Sequence, residues 1–237
     1  MKRTMLALLA IALAAPAQAA DRRVTITDFD RVQVDGPFEV VLATGKPPSA
    51  TISGSTEATD RVSVEVQGRM LRVRPNRSAW SGYPGATTAP AKITLSTHDL
   101  RSATVVGSGS LSIDKVKTMR FDASLSGSGR LSMPKVEADT LIVGLVGSGA
   151  IEVGGKAKTV RAGVQGTGDL NAQALTAEDA EINADTAGTI NMAVRRAATV
   201  NGTGSGDTVI AGSAACTVKL LGSGQILCSK YSDQRQR

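Results

Sequence analysis

Apolar residues recur at every second position along much of this chain. Phe121, Ala123 and Leu125 form one such run, followed by Leu141, Val143 and Leu145, then Val160, Ala162 and Val164, then Ala180, Ile182 and Ala184, and finally Cys216, Val218 and Leu220. The residues between them are mostly polar or small, such as Asp122 and Ser124, Arg161 and Gly163, or Glu181 and Asn183. Side chains on a strand point alternately to its two faces, so each run predicts a strand with one face buried. A second, shorter alternation follows each run after a break: Leu111 and Ile113, Leu131 and Met133, Ile151 and Val153, Ile226 and Cys228. The two segments therefore face one interior.

The break itself repeats. It reads Gly107-Ser108-Gly109, Gly127-Ser128-Gly129, Gly147-Ser148-Gly149, Gly166-Thr167-Gly168, a degraded Thr186-Ala187-Gly188, Gly204-Ser205-Gly206 and Gly222-Ser223-Gly224. Successive starts lie 20, 20, 19, 20, 18 and 18 residues apart. A fixed period of this size marks a solenoid, in which no coil buries its inward residues alone and stacked neighbours complete the core. The glycines fall at corners, where a side chain would obstruct a tight turn or a positive φ. The central Ser or Thr of each triplet then forms a column of hydroxyls along an outer edge. The predicted fold is all-β: a parallel β-helix of about seven regular 18–20-residue coils, preceded by less regular strands.

Before the repeats, Lys2 and Arg3 precede an apolar run from Met5 to Ala15, then Pro16 and Ala17-Gln18-Ala19. A basic start, a short apolar core and an Ala-x-Ala site predict a cleaved secretory signal over residues 1–19. No later segment approaches the roughly 18 consecutive apolar residues of a membrane-spanning helix. Residues 20–99 read as an N-terminal β region continuous with or capping the solenoid. Within it Val32 and Val34, then Phe38 and Val40 after Asp35-Gly36-Pro37, look like an early version of the later coil. Val62, Val64 and Val66, then Leu71 and Val73 beyond Gly68, read as strands joined by a turn. Residues 78–90 lack alternation and read as a protruding loop carrying Trp80 and Tyr83. The regular β-helix covers 100–229, and 230–237 is a tail.

These segments carry a resemblance. Phe29-Asp30-Arg31-Val32, Gly36-Pro37-Phe38-Glu39-Val40, Arg69-Met70-Leu71-Arg72-Val73, Ile93-Thr94-Leu95, and Leu100 leading into Val105-Val106-Gly107-Ser108-Gly109 together resemble the auto-transporter adhesin head domain, or GIN-domain, family. The resemblance spans nearly all of the chain beyond residue 19. It implies a secreted, right-handed β-helical domain of bacterial envelopes, with an adhesion role and no catalytic residues. Parallel crossovers favour the same hand in general. One departure is that no C-terminal translocator barrel, with its many strands of about ten residues, is expected here.

Composition narrows the chemistry. Aromatics are few, with one Trp, two Tyr and three Phe, against 25 Gly, which suits a thin core of Val, Ile, Leu and Ala. The formal charge is +6, of which Lys2 and Arg3 contribute two. The remaining basic residues are scattered among acids without interleaved aromatics, so no nucleic-acid partner is expected, although anionic envelope polymers remain compatible with a mildly basic surface. His98 is the only histidine, so no His metal cluster can form, and the partners expected of a catalytic histidine are not evident beside it. The residue after each triplet is Ser110, Arg130, Ala150, Asp169, Thr189, Asp207 or Gln225. No acidic pair stands there on adjacent coils, which removes support for a two-carboxylate hydrolase. Gly-Thr-Gly-Asp at 166–169 and Gly-Ser-Gly-Asp at 204–207 echo calcium-binding solenoid repeats, but the period is twice too long. No catalytic residue, metal or cofactor is expected.

Cys216 and Cys228 flank the last corner, both at inward positions. They read either as a bridge pinning the final coil or as two buried thiols acting as small hydrophobes. The leading functional expectation is an exported, non-enzymatic envelope-binding or adhesin-like domain. Its partner would be an envelope or extracellular glycan or protein, met by a long flat face or by the Trp80 and Tyr83 loop. The alternatives are an enzyme acting on envelope polysaccharide and a structural module that assembles through its coil ends.

Overall fold

The structure, a computed structural model, describes residues 20–76 and 91–228. The predicted signal at 1–19, the loop residues Trp80 and Tyr83, and the tail at 230–237 lie outside the described residues. Strands and one short helix follow in the order β1 (Ala20–Val24), β2 (Arg31–Asp35), β3 (Glu39–Thr44), β4 (Ser49–Gly54), α1 (Thr56–Asp60), β5 (Val62–Gln67), β6 (Met70–Pro75), β7 (Lys92–Thr97), β8 (Ser102–Gly107) and β9 (Ser110–Ile113). The repeats then give β10 (Val116–Gly127), β11 (Arg130–Gly147), β12 (Ala150–Gly166), β13 (Asp169–Thr186), β14 (Ile190–Gly202), β15 (Thr208–Ala211), β16 (Ala215–Leu220) and β17 (Ile226–Cys228).

The fold is the β-solenoid that the periodicity predicts, of roughly six turns. From β8 onward each coil pairs in parallel with the next, and equivalent repeat positions meet. Leu125 lies against Leu145, Leu145 against Val164 and Val164 against Ala184. Phe121, Leu141, Val160, Leu131, Ile151 and Ile190 are fully buried in the resulting column. Each such side chain gains about 1.5–3 kcal/mol on burial, and does so only because the coils above and below supply the other walls.

The corners explain the glycines in two ways. Gly127 adopts φ +124°, a region open to glycine and strained for other residues. Gly129 has an ordinary φ, but a Cβ there would stand 2.3 Å from the carbonyl oxygen of Gly109 one coil below. The first glycine therefore answers a conformational demand and the third a close approach of stacked backbones. At the degraded copy Thr186 pairs with Gly166 and is buried. Its hydroxyl bridges to the carbonyls of Gly166 and Gly168 at 3.2 and 3.3 Å and accepts from the Gly188 N–H at 2.9 Å. Beyond that coil the first glycine no longer has positive φ.

The last coil departs from the expected burial. Val218 is in register with Val200 and Leu220 with Gly202, as inward positions should be, yet both are exposed, at 44% and 42%. Alternation sets the direction of a side chain, whereas its burial needs a further coil.

The first part of the chain stacks out of sequence order. β2 and β3 pair in parallel with β8 and β9 on one side and with β6 and β7 on the other. The coil built from residues 31–44 is thus held between two coils that come later in the chain. Antiparallel strands cover the outermost coil: β5 on β6, β4 on β7 and β1 on β4. α1 starts at an N-cap, Ser55, whose hydroxyl accepts from the Ala58 N–H at 3.2 Å.

Candidate functional site

Among the described residues the sequence-predicted candidates do not converge. The glycine corners form one column, and Ser108, Ser128, Ser148, Thr167, Ser205 and Ser223 are exposed along it. β6 and β7 stack on β2 and β3, whose own connection is the corner Gly36-Pro37-Phe38. Trp80 and Tyr83 lie outside the described residues. His98 is exposed, with Nδ1 3.2 Å from an oxygen of Asp28.

The aspartates after two of the triplets have a structural role. The Thr189 N–H and hydroxyl donate to Asp169 at 2.7 and 2.8 Å, and the Gln225 N–H donates to Asp207 at 3.0 Å. Each carboxylate thus satisfies the backbone of the next coil. Among the described residues no group of three or more His, Cys, Asp or Glu could hold a metal ion.

A buried charge cluster lies at the corner opposite the glycine column. The side chain of Asp30, only 8% exposed, receives Arg69 Nε at 2.9 Å, with Arg31 at 3.6 Å and Arg101 at 3.8 Å. Its backbone carbonyl also accepts from the Arg101 N–H at 2.7 Å. Burial resists ionisation of Asp30, but the Arg69 hydrogen bond and the charges of Arg69, Arg31 and Arg101 outweigh it, holding the carboxyl below its usual range. Three segments remote in sequence are tied here, which identifies the cluster as a fastening.

A different feature, which reading the columns beside the triplets could not reveal, has the geometry of a binding site. On the side of the solenoid where one coil passes into the next, β10 to β14 enclose an open groove of about 630 Å³. Its flanks carry Lys117, Glu137, Asp139, Lys156, Lys158 and Arg195, while Ala138 and Ala157 lie between them. The parallel register places Lys117, Glu137, Lys156 and Thr176 in one row. Lys117 Nζ is 3.3 Å from Glu137, and Lys158 Nζ is 2.8 Å from Asp139, a contact that raises the Lys158 pKa. Coils spaced by about 4.8 Å make this a regular row roughly 14 Å long, charged at its first three positions. The sequence signal was present in Lys117-x-Met119, Glu137-x-Asp139, Lys156-x-Lys158 and Thr176-x-Glu178, a charged alternation at the repeat period.

Three carboxyls outside the groove are shifted by their partners. Asp179 is held below its usual range by its hydrogen bond and ion pair to Arg196, and Glu65 by hydrogen bonds from Ser63 and Arg74. Thus the carboxyls with a resolved shift, Asp30, Glu65 and Asp179, all move toward the permanently ionised form.

Cys216 and Cys228 form a disulfide with a Cα–Cα distance of 6.6 Å. It joins β16 to β17 across the final corner, and Cys228 is buried.

Residues 28–214 match the family model described as "Putative auto-transporter adhesin, head GIN domain". No functionally curated protein is detectably similar in sequence. Among solved structures, the chain is similar to a putative adhesin from Bacteroides fragilis, with a TM-score of 0.82, 19% identity, and 89% of this chain and 97% of that chain covered. It is also similar to a putative lipid binding protein from Parabacteroides distasonis, at 0.72, 23% identity, and 90% and 97% coverage. A putative adhesin from Parabacteroides merdae gives 0.68, 16% identity, and 90% and 97% coverage. At such identities the likeness establishes the fold. Among the described residues no helix is long and apolar enough to cross a membrane.

Proposed function

Because the chain belongs to the auto-transporter adhesin head GIN-domain family, we propose that it is an exported, non-enzymatic domain that binds an extended envelope or extracellular polymer. The observation that carries this reading is the charge-laddered groove across β10 to β14. Four cations, Lys117, Lys156, Lys158 and Arg195, line it against three carboxylates, Glu137, Asp139 and Glu178. The trough between the two flanking rows runs along the solenoid axis, over the buried Ala138 and Ala157. Such a row gives weak contacts that sum over length, the mode suited to a repeating polymer with anionic groups. Lys2, Arg3, the apolar run after them and Ala17-Gln18-Ala19 support export.

The test is co-sedimentation of the protein with purified peptidoglycan sacculi, and capture on immobilised lipopolysaccharide, at low and moderate salt. Lys156→Glu combined with Arg195→Glu is expected to abolish retention, and the wild-type signal to fall as salt rises. Trp80→Ala separates the groove from the loop as the contact. Retention unchanged by the groove pair but lost with Trp80→Ala would transfer the site to that loop. Release of soluble fragments from either polymer would replace the binding reading with an enzymatic one.

A further inference from the structure

Among the described residues β16 and β17 are the last strands of the solenoid, and its inner columns are unfinished there. Besides Val218 and Leu220, Leu221 stands 73% exposed. β16 pairs with β14, and β17 with β15, and among the described residues no strand lies on their outer side. Alternate N–H and C=O groups of β16 therefore point out of the stack, and such groups need hydrogen-bond partners. Natural sheets blunt edges of this kind with charges, prolines or bulges. Residues 208–228 carry one charged side chain, Lys219, and no proline.

The opposite end is guarded. There β6 and β7 are covered by antiparallel β5 and β4 and β4 by β1; β1 carries Arg22 and Arg23, and Glu65 of β5 pairs with Arg74 of β6 at 2.8 Å. β5 and β1 pair with β6 and β4 alone among the described residues, but their charges disfavour the strand addition that head-to-tail growth would require.

We propose that this C-terminal end is a homotypic interface, in which β16 of one copy pairs antiparallel with β16 of a second copy about a two-fold axis at Val218. This is the self-complementary arrangement open to two identical edges, and it closes at a dimer. Centring on Val218 sets it against the partner's Val218, brings Leu220 against the partner's Cys216, and Leu221 against the partner's Ala215. The inward apolar columns of the two solenoids then run into one another. Lys219 falls opposite the partner's Thr217, so the only charge at each end does not face its like. Residues 229–237 are the competing cover, but Tyr231 is their sole apolar side chain, and they cannot supply both unfinished columns. The interface is separate from the groove and does not depend on it.

Sedimentation velocity of the secreted protein, with residues 229–237 intact, tests this. The expected result is a concentration-dependent monomer–dimer equilibrium with no larger species. Val218→Lys sets like charges against each other across the axis and is expected to weaken dimerisation by at least about tenfold. Glu65→Lys, at the guarded end, leaves it unchanged. Hydrogen exchange of wild-type protein gives a readout that needs no variant: protection of residues 215–220 rises with protein concentration. A monomer up to roughly 0.5 mM, a dimer indifferent to Val218→Lys, or protection of 215–220 that is independent of concentration would each overturn the proposal.

Discussion

The coils before β10 and those after it reach the same cross-section by different routes. In the regular part Arg130 pairs with Ala150 and Ala150 with Asp169, so each coil meets its neighbour after one period of chain. In the first part Arg31 pairs with Ser102 on one side and with Met70 on the other, and the coil is completed only after a long excursion. Closing a longer loop costs more conformational entropy. The regular coils need little beyond stacking glycines and alternating apolar residues. The early coils need additional fastenings, namely the Asp30 cluster and the buried hydroxyl of Thr97 that donates to the Phe29 carbonyl. Periodicity thus substitutes for specific long-range contacts, and where it lapses such contacts appear.

The sharpest test of that contrast is Gly129→Ala in the regular part. Its Cβ would overlap the Gly109 carbonyl, and backbone on both sides resists movement. We expect a loss of about 3 kcal/mol or more, measured by urea unfolding. Equal stability of mutant and wild type would mean that the corners do not stack this closely.

Removing the disulfide by Cys228→Ser tests the end of the regular part. Closure of a short loop is worth about 3 kcal/mol, and β17 pairs with β15 alone. Hydrogen exchange should quicken over residues 215–228, with little change in β11 to β13. A uniform loss of protection along the whole stack would show the solenoid unfolding as one unit and remove the distinction between its coils.

Asp30→Asn tests the early fastening. A hydrogen bond to a charged group contributes about 1.5–3 kcal/mol, and the loss should fall in β2, β6 and β8. The pH dependence has a definite sign. Because the folded-state pKa of Asp30 is lowered, its contribution is present above the ordinary carboxylate pKa and is lost as the pH falls through the folded value. Acid unfolding of Asp30→Asn should therefore be shallower than that of wild type. Identical acid limbs would remove Asp30 from the fastening.

The smallest effect is expected at Gly163, which faces outward with nothing within 4 Å of its added Cβ. Gly163→Ala should raise stability by about 0.5 kcal/mol through the unfolded chain. A loss as large as that at Gly129 would mean that all strand glycines of the repeat are sterically required.

Much of the regular part was legible because its signal is local. Phe121, Ala123 and Leu125 declare the buried face, and the triplets declare the corners. The groove was less legible, since Lys117, Glu137 and Lys156 become a row only when β10, β11 and β12 pair in register. Gly155, with φ +113°, was missed as a corner for a similar reason: it belongs to no triplet, and only its approach to the Val136 carbonyl gives it a role.

The sequence by itself determined the strand faces, the period and the solenoid, because a side chain's direction along a strand and a glycine's tolerance are properties of neighbouring residues. Tertiary structure alone decided that residues 31–44 sit between coils made from later chain, that Val218 and Leu220 are exposed, and that Asp30 is ringed by arginines. Those outcomes depend on what lies one coil above or below, and no short stretch of chain contains that information.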